Sequence, residues 1–252
     1  MTALPRTPSF RLDGRRALAA GASSGIGLAA AAALAEAGAH VTLAARRADV
    51  LETLSRDFAA RGWSADTLPL DIADIEAAGT ALSDRPPYDI LVNSAGLARH
   101  GPALDTNPAD FDAVMNINLR GAFFLAREVA RTMPRGGSVI TISSQMGHVG
   151  GPDRSVYCAS KHAVEGMTKA MAVEWGPRGI RVNTICPTFI RTALTEATFA
   201  DPERRAWIEG KIKLGRVGEV EDMMGATVFL ASDAAALITG TALMVDGGWT
   251  AE

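Results

Sequence analysis

Segments that favour β-strands alternate along the chain with segments that favour α-helices. Short apolar runs predict strands near 16–20, 40–44, 64–70, 88–92, 138–142, 180–185 and 242–245. Longer runs of helical period predict helices near 25–37, 48–61, 73–82, 108–132, 155–175 and 219–231. Such alternation is typical of a parallel sheet covered by helices on both faces. We therefore predict a doubly wound α/β fold of about seven strands, with a ligand crevice at their carboxyl ends.

Length and charge narrow the class of protein. The 252 residues are 48% apolar and 21% charged, with no linker-like stretch, so we expect one domain over 1–252. The formal net charge of -3 gives no electrostatic reason to expect nucleic acid or an anionic membrane as a partner. No apolar run approaches the roughly 20 residues of a membrane span, and the first residues lack the apolar core of a signal peptide.

Cysteine and histidine usage gives two further expectations. The two cysteines, Cys158 and Cys186, are too few for a disulfide framework, and we expect a reduced, cytoplasmic setting. Four histidines lack metal-ligand spacing with one another or with cysteine: His40, His100, His148 and His162. No metal site is predicted.

A possible proton path lies at the start of the predicted helix 155–175. Tyr157 and Lys161 are four residues apart, so their side chains project from one helical face. A neighbouring ammonium lowers the pKa of a phenol, which would let Tyr157 exchange a proton with a carbonyl or an alcohol. Ser144 follows the predicted strand 138–142 and could donate a second hydrogen bond to the same oxygen. A Tyr and a Lys four residues apart also occur by chance on many solvated helices, so the pair alone does not establish a catalytic site.

A glycine-rich turn joins the first predicted strand to the first predicted helix. Its sequence is Gly21-Ala22-Ser23-Ser24-Gly25-Ile26-Gly27. Glycines at such a junction let the backbone approach a pyrophosphate, and the helix N-terminus offers free N–H groups. A tight strand–helix connection would need glycines too, but the place in the first βα unit favours a dinucleotide.

The end of the second predicted strand bears on the choice of cofactor. An acid there would accept hydrogen bonds from a free ribose 2'-hydroxyl, whereas a cation favours a 2'-phosphate. This chain has Ala45, Arg46 and Arg47 and no acid. We predict NADP(H), with Arg46 as the main phosphate partner and Arg47 as a second. The alternatives are solvated arginines and NAD(H).

Further motifs follow in order: Asp71-Ile72, Asn93-Ser94-Ala95-Gly96, Asn118, Ser144, Tyr157 with Lys161, the loop 187–192, and the strand end 245–248. With the glycine turn, this set resembles the short-chain dehydrogenase/reductase family over essentially the whole chain. The resemblance implies a single Rossmann-type domain. It also implies hydride transfer between a nicotinamide cofactor and a carbonyl or secondary alcohol.

The resemblance also implies roles for individual residues. Tyr157 would be the general acid/base, Ser144 the orienting donor, Lys161 the partner of the phenol and of the nicotinamide ribose, and Asn118 the holder of a relay water. Cofactor contacts would come from Gly21, Ser23, Ser24, Gly25, Ile26 and Gly27, from Asp71 and Ile72 at the adenine, from Asn93, Ala95 and Gly96, and from Pro187, Ile190 and Thr192 at the carboxamide. Three residues depart from the common family pattern: Ala20, Ser94 and Thr188.

The substrate side is less defined. The segment 193–214 is a candidate lid, although its Phe199, Trp207 and Ile208 could equally pack as core. Gln145, Met146 and His148 follow Ser144 and either line the substrate pocket or belong to a loop that merely packs. Arg99 and His100 either reach an anionic substrate or are solvated loop residues. The substrate stays open among sugars or polyols, hydroxy or keto acids, ketoesters and acyl thioesters.

Three function classes remain at this stage. The first is an NADP(H)-dependent carbonyl reductase or alcohol dehydrogenase. The alternatives are an NAD-dependent polyol or sugar dehydrogenase and a non-catalytic cofactor-binding regulator. The predicted helices 108–132 and 155–175 carry apolar residues on more than one face. Exposed apolar patches mark interfaces, and the family resemblance implies a homotetramer.

Overall fold

A parallel sheet forms the centre of the protein. The computed structural model describes residues 4–133 and 136–251. In this part of the chain the strands are β1 Arg16–Ala20, β2 His40–Ala45, β3 Ala65–Pro69, β4 Ile90–Asn93, β5 Gly137–Ile142, β6 Ile180–Pro187 and β7 Ala242–Val245. They form one sheet in the order β3-β2-β1-β4-β5-β6-β7, with every neighbouring pair parallel. The predicted fold class is confirmed.

Helices connect these strands. Their bounds are α1 Gly25–Glu36, α2 Ala48–Ala60, α3 Ile75–Ser83, α4 Pro108–Met115, α5 Ala122–Thr132, α6 Ser155–Trp175, α7 Glu196–Phe199, α8 Pro202–Lys211 and α9 Met224–Ala231. Local chemistry sets several starts. Before α4, the Asn107 side chain accepts a 2.9 Å hydrogen bond from the N–H of Asp110, and Pro108 occupies the first helical position.

Apolar side chains fill both faces of the sheet. On β1, Ala17 and Ala19 point to a core shared with α1, α2 and α9, while Leu18 and Ala20 point to one shared with α3, α5 and α6. This follows from the two-residue period of a strand, and strands buried on both faces need apolar residues at every position. The layers therefore hold the carboxyl ends of the strands rigidly in place.

The predicted helix 108–132 differs from the structure. A π-helical turn, Asn116–Gly121, separates α4 from α5. Gly121 explains why the chain can pass here, because a Cβ at this residue would lie 2.7 Å from the carbonyl oxygen of Ile72. π-turns inside helices often occur at functional sites, and this one places Asn118 in the interior. The predicted helix 219–231 likewise starts as a 3₁₀ turn, Val220–Met223, before α9.

The strand order reverses at the centre of the sheet. The chain runs outward from β1 to β2 and β3, then returns to place β4 on the other side of β1. Loops at the carboxyl ends of β1 and β4 consequently diverge and leave a crevice. In doubly wound folds this is where ligands bind.

Candidate functional site

A cleft of about 480 Å³ runs along the carboxyl ends of the strands. It brings together most of the residues predicted for the site: Gly21, Ser23, Ser24, Gly25, Ile26, Arg46, Arg47, Asp71, Ile72, Ala95, Gly96, Ser144, Tyr157, Lys161, Pro187, Ile190 and Thr192. Three other predicted residues, Gly27, Asn93 and Asn118, lie behind its wall instead.

The glycine turn is packed too tightly to admit side chains at two positions. Gly21 has φ +79, and a Cβ there would lie 2.7 Å from the backbone nitrogen of Ala95. A Cβ on Gly27 would collide with the carbonyl of Gly21. Gly27 is thus a packing residue of the turn, and its absence from the lining has a physical reason. The turn leaves the N-terminus of α1 facing the cleft, an arrangement suited to an anion.

The two arginines after β2 occupy one end of the cleft. Arg46 and Arg47 are exposed, and Arg47 Nη2 donates a 3.0 Å hydrogen bond to Ser23 Oγ of the glycine turn. Ala45 is buried, as the last residue of β2. Asp71 lines the cleft near this end, and its carboxylate accepts a 3.0 Å hydrogen bond from the N–H of Ala73. The lining at this end of the cleft therefore carries two positive charges, from Arg46 and Arg47, and one negative charge, from Asp71.

Tyr157, Lys161 and Ser144 meet at the opposite end. Lys161 Nζ lies 5.7 Å from the centroid of the Tyr157 ring and donates a 2.9 Å hydrogen bond to the carbonyl of Ile142. Ser144 Oγ accepts a 3.1 Å hydrogen bond from the N–H of Met146, which leaves its own proton free to donate. The structure therefore brings the Ser144 hydroxyl to the face of α6 that carries Tyr157 and Lys161.

The pKa values of this group differ from the sequence-based expectation. Burial raises the pKa of the Tyr157 phenol, and a hydrogen bond with Ser144 acts in the opposite direction. Burial also lowers the pKa of Lys161 to about 8, opposed by the nearby Cys186 and Glu165. We expected the ammonium to lower the pKa of the phenol. In the structure burial is the largest effect on both groups, and at the phenol Ser144 and the cation Arg154 act against it.

Asn118 and Asn93 hold the walls of the cleft. The Asn118 amide exchanges two hydrogen bonds with the backbone of Leu97, at 2.7 and 2.9 Å, and donates a third, 3.1 Å long, to Ser160 Oγ. Asn93 Oδ1 accepts a 3.1 Å hydrogen bond from the N–H of Ala95. Both side chains thus fix the loop after β4 from behind. The holding of a water by Asn118 stays a prediction.

A smaller cavity of about 210 Å³ adjoins the cleft at Ser144 and Tyr157. It is lined by Ala98, His100, Ser144, Gln145, Met146, Arg154, Tyr157, Thr188, Phe189, Leu194, Thr195 and Thr198. His100, Gln145 and Met146 therefore face this cavity, which agrees with the prediction that they lie near the substrate. Arg99 instead lies 3.5 Å from Asp110. Arg154 was missed, because one arginine three residues before a tyrosine carries no recognisable pattern.

His148 turns away from this cavity into a polar cluster with Glu165 and Cys186. The Cys186 thiol lies 3.3 Å from Glu165 Oε1 and 3.5 Å from His148 Nε2, and Thr184 donates a 3.0 Å hydrogen bond to Glu165 Oε2. Burial and the Glu165 charge raise the pKa of Cys186 to about 12, so its thiol stays protonated and donates. Sequence spacing could not reveal this group, since its members come from three separate elements.

The segment 193–214 borders the site with its first residues and packs against the core further along, and its movement as a lid stays a prediction. Ala193, Leu194 and Thr195 line the cleft, and Thr198 lines the smaller cavity. Phe199 and Ile208 are buried in a small apolar cluster that also contains Phe189 and Trp249. The aromatic residues thus anchor the segment while its first residues border the site.

Topology and cleft together define a Rossmann-type α/β protein, and comparisons with known proteins narrow this class. A family model described as enoyl-(acyl carrier protein) reductase matches residues 21–250. Gluconate 5-dehydrogenase of Gluconobacter oxydans is 41% identical over 247 residues, which cover 96% of each chain. D-threitol dehydrogenase of Mycolicibacterium smegmatis is 41% identical over 249 residues, covering 96% of this chain and 95% of the relative.

A solved structure is similar to this chain in both fold and sequence. The crystal structure of a gluconate 5-dehydrogenase from Burkholderia cenocepacia, in complex with NADP and tartrate, has a TM-score of 0.94 and 38% identity. The match covers 96% of this chain and 98% of that one. This chain belongs to the short-chain dehydrogenase/reductase family. Among its described residues, no helix is both long enough and apolar enough to cross a membrane.

Proposed function

We propose that this protein is an NADP(H)-dependent oxidoreductase that interconverts a secondary alcohol and a ketone on a small polyhydroxylated substrate. The observation that carries the proposal is the position of Ser144 and Tyr157, which line both the long cleft and the smaller cavity. A cofactor in the cleft and a substrate in the cavity would meet beside these two hydroxyls. When bound, the nicotinamide supplies or accepts the hydride.

The residues of the chain handle the proton. The Ser144 hydroxyl donates to the substrate oxygen and fixes its position. Tyr157 gives its proton to that oxygen in the reductive direction and takes it back in the oxidative direction. Lys161, buried and close to the phenol ring, stabilises the phenolate whenever its ammonium is charged. Asn118 would hold a relay water behind Lys161.

The cleft fits a dinucleotide with a 2'-phosphate. The glycine turn and the N-terminus of α1 suit the pyrophosphate, while Arg46 and Arg47 offer two cations where an NAD-specific site would offer an acid. Asp71 and Ile72 would border the adenine, with Asn93, Ala95 and Gly96 along the middle of the cleft. Pro187, Ile190 and Thr192 would border the carboxamide. Solved relatives carry NADP, including a 2-deoxy-D-gluconate 3-dehydrogenase from Agrobacterium tumefaciens.

The substrate class draws on the relatives. Their names cover gluconate, D-threitol, D-erythrulose, L-xylulose and galactitol, all polyhydroxylated. The smaller cavity matches such molecules because it mixes apolar walls with hydroxyl and amide groups. A sugar or polyol fits better than an acyl thioester, whose long apolar chain would need a larger cavity.

A screen of paired substrates tests this function. Alditols, aldonates and the matching ketoses would be offered with each of the two cofactors, and the absorbance of the reduced nicotinamide recorded. Turnover of at least one polyhydroxylated pair with NADP(H) is the expected result. Turnover with NAD(H) alone would favour the NAD-dependent alternative. Cofactor binding without turnover of any carbonyl or alcohol would favour a regulator, which the complete set of Asn118, Ser144, Tyr157 and Lys161 argues against.

Domain organisation, assembly and location complete the proposal. We propose a single domain over 1–252 whose segment 193–214 acts as a substrate lid, since its first residues border both cavities. We also propose a homotetramer in the cytoplasm. Phe111 on α4 and Phe123 on α5 are 44% and 40% exposed, which is an apolar surface suited to a subunit contact.

A further inference from the structure

Arg154 is a cation beside the smaller cavity, and none of the described residues forms an ion pair with it. It immediately precedes α6, three residues before Tyr157, and its guanidinium lies 5.1 Å from the centroid of the Phe189 ring. Its Nη1 lies 2.8 Å from His100 Nε2. Because a guanidinium only donates, Nε2 accepts and the imidazole is neutral with its proton on Nδ1. The hydrogen-bond partner of Arg154 in the described chain is therefore an uncharged ring.

The surrounding charges make this corner of the cavity positive. No Asp or Glu is among the described residues that line it. Arg204 of α8 adds a second positive charge, and together with burial and Arg154 it lowers the pKa of His100 to about 4. The exposed carboxylate of Asp153, the chain neighbour of Arg154, opposes this charge only weakly. An anion entering the cavity would meet a net positive field.

Two neutral groups in the same lining lack partners. Gln145 is 1% exposed, and neither its amide oxygen nor its amide nitrogen has a hydrogen-bond partner among the described residues. Thr188 Oγ1 is likewise buried without a partner in that set. Both residues line the smaller cavity. Buried polar atoms without partners cost free energy, so a ligand or water that reached these atoms would be stabilised by the bonds it made.

We propose that the smaller cavity binds a sugar acid, with its carboxylate on Arg154 and its hydroxyls on Gln145 and Thr188. This inference rests on the proposed function, which makes the cavity the substrate site. A planar guanidinium held by His100 and stacked on Phe189 is pre-organised for a two-point contact with a carboxylate. The volume of about 210 Å³ equals roughly seven waters, enough for a short polyhydroxylated acid.

The names of the relatives include both neutral polyols and a sugar acid, and Arg154 favours the sugar acid. A neutral polyol would leave the Arg154 charge without a counter-charge in a partly desolvated corner. A sugar acid with the same carbon skeleton supplies it. Rejection of the neutral analogue should be strong, because a site built for a polar partner discriminates against ligands that lack one.

Binding to the cofactor-loaded protein tests the inference without requiring turnover. Calorimetry on the NADP⁺ complex would compare D-gluconate with D-glucitol, and L-threonate with L-threitol, which differ in the carboxylate alone. The proteins would be wild type, Arg154→Gln, Arg154→Lys and the matched control Arg99→Gln, whose guanidinium pairs with Asp110 outside the cavity. Circular dichroism and NADP⁺ affinity would verify that each variant folds.

We expect the wild type to bind at least one acid about 10-fold or more tightly than its polyol. Arg154→Gln should reduce that preference by about 10- to 100-fold, the usual effect of losing a hydrogen bond to a charged group. Arg154→Lys should lie between, and Arg99→Gln should match wild type. The inference is overturned if the wild type prefers the polyols or if Arg154→Gln keeps the full preference.

Turnover measurements then distinguish a failure of the proposed enzymatic function from a failure of the proposed anion site. A preference for acids that depends on Arg154, in a protein that oxidises nothing in the screen, would sink the proposed function and support the anion site. Turnover of polyols with no preference for acids would support the function and overturn the anion site. Arg154 is a binding residue under this proposal, so its loss should raise KM for acids more than it lowers kcat.

Discussion

Asn118 and Ser160 are joined by a buried hydrogen bond of 3.1 Å between the Nδ2 and Oγ atoms. Ser160 Oγ in turn donates to the backbone carbonyl of Tyr157 at 2.8 Å. Since the Asn118 amide is also bonded twice to Leu97, one side chain connects the loop after β4 to the turn of α6 that carries the phenol. The π-helical turn therefore positions the phenol from behind.

The first prediction concerns this connection. Asn118→Leu should lower the free energy of unfolding by about 2–4 kcal/mol, because it leaves buried hydrogen-bonding groups of Leu97 and Ser160 without a partner. It should also lower kcat by about 10-fold or more, since the Tyr157 turn loses its anchor. Urea unfolding and steady-state kinetics measure both. Asn116→Leu, on the same π-turn but partly exposed, is the control and should change stability by less than about 0.5 kcal/mol.

The second prediction concerns the phenol. Tyr157→Phe should reduce kcat by about 100-fold or more, the usual contribution of a general acid/base, while the Kd for NADP⁺ stays near the wild-type value. The ring and its packing are kept, and only the proton-bearing oxygen is lost. A variant that retained more than about a hundredth of wild-type kcat would contradict the assigned role.

The third prediction concerns cofactor choice. The wild type should have a higher kcat/KM with NADPH than with NADH, and Ala45→Asp with Arg46→Ile should reverse that order. The new carboxylate would repel a 2'-phosphate and accept hydrogen bonds from a free 2'-hydroxyl, while the removed cation no longer favours the phosphate. Arg56→Ala, on the exposed side of α2, serves as a charge control. Equal or better use of NADH by the wild type would move the assignment to an NAD-dependent dehydrogenase.

The fourth prediction is a pH dependence of stability. Burial raises the pKa of the Cys186 thiol from 9.0 to about 12, so between these values the unfolded chain loses a proton that the folded chain keeps. The stability linked to Cys186 is therefore fully present below pH 9 and is lost as the pH rises towards 12. Relative to Cys186→Ala, the wild type should lose about 2 kcal/mol of unfolding free energy between pH 9 and 10.5.

Measurement of that difference requires unfolding curves for both proteins under reducing conditions at several pH values. Subtracting the variant removes the titration of Lys161 and Tyr157, provided that the substitution leaves their surroundings intact. NADP⁺ binding by the variant checks this condition. A difference that does not change with pH would show that the folded thiol ionises as easily as the unfolded one.

The fifth prediction is assembly. Light scattering behind size exclusion should give a mass near four chains at micromolar concentration, because exposed apolar residues on α4, α5 and α6 call for a covering surface. Phe123→Glu should weaken the assembly by placing a charge in the contact. A mass near one chain would refute the tetramer. A stable dimer would also contradict it, and would show that the chain forms only one of the two subunit contacts that a tetramer needs.

The sequence by itself determined the order of the elements and the main chemical groups. Strand bounds agree with the structure within about two residues, since apolar runs and turn-forming residues act locally. The glycine turn and the pair of Tyr157 and Lys161 were equally readable, because each depends on spacing within one segment.

Tertiary structure alone decided which groups from different segments meet. The π-turn at Asn116–Gly121 interrupts a stretch whose apolar pattern is continuous, and within it Gly121 passes close to the backbone of Ile72. Packing turned His148 towards Cys186 and aimed Arg154 into the smaller cavity. It also raised the pKa of the Tyr157 phenol where the sequence predicted a decrease. Burial is set by the whole surrounding fold, and no local pattern of residues encodes it.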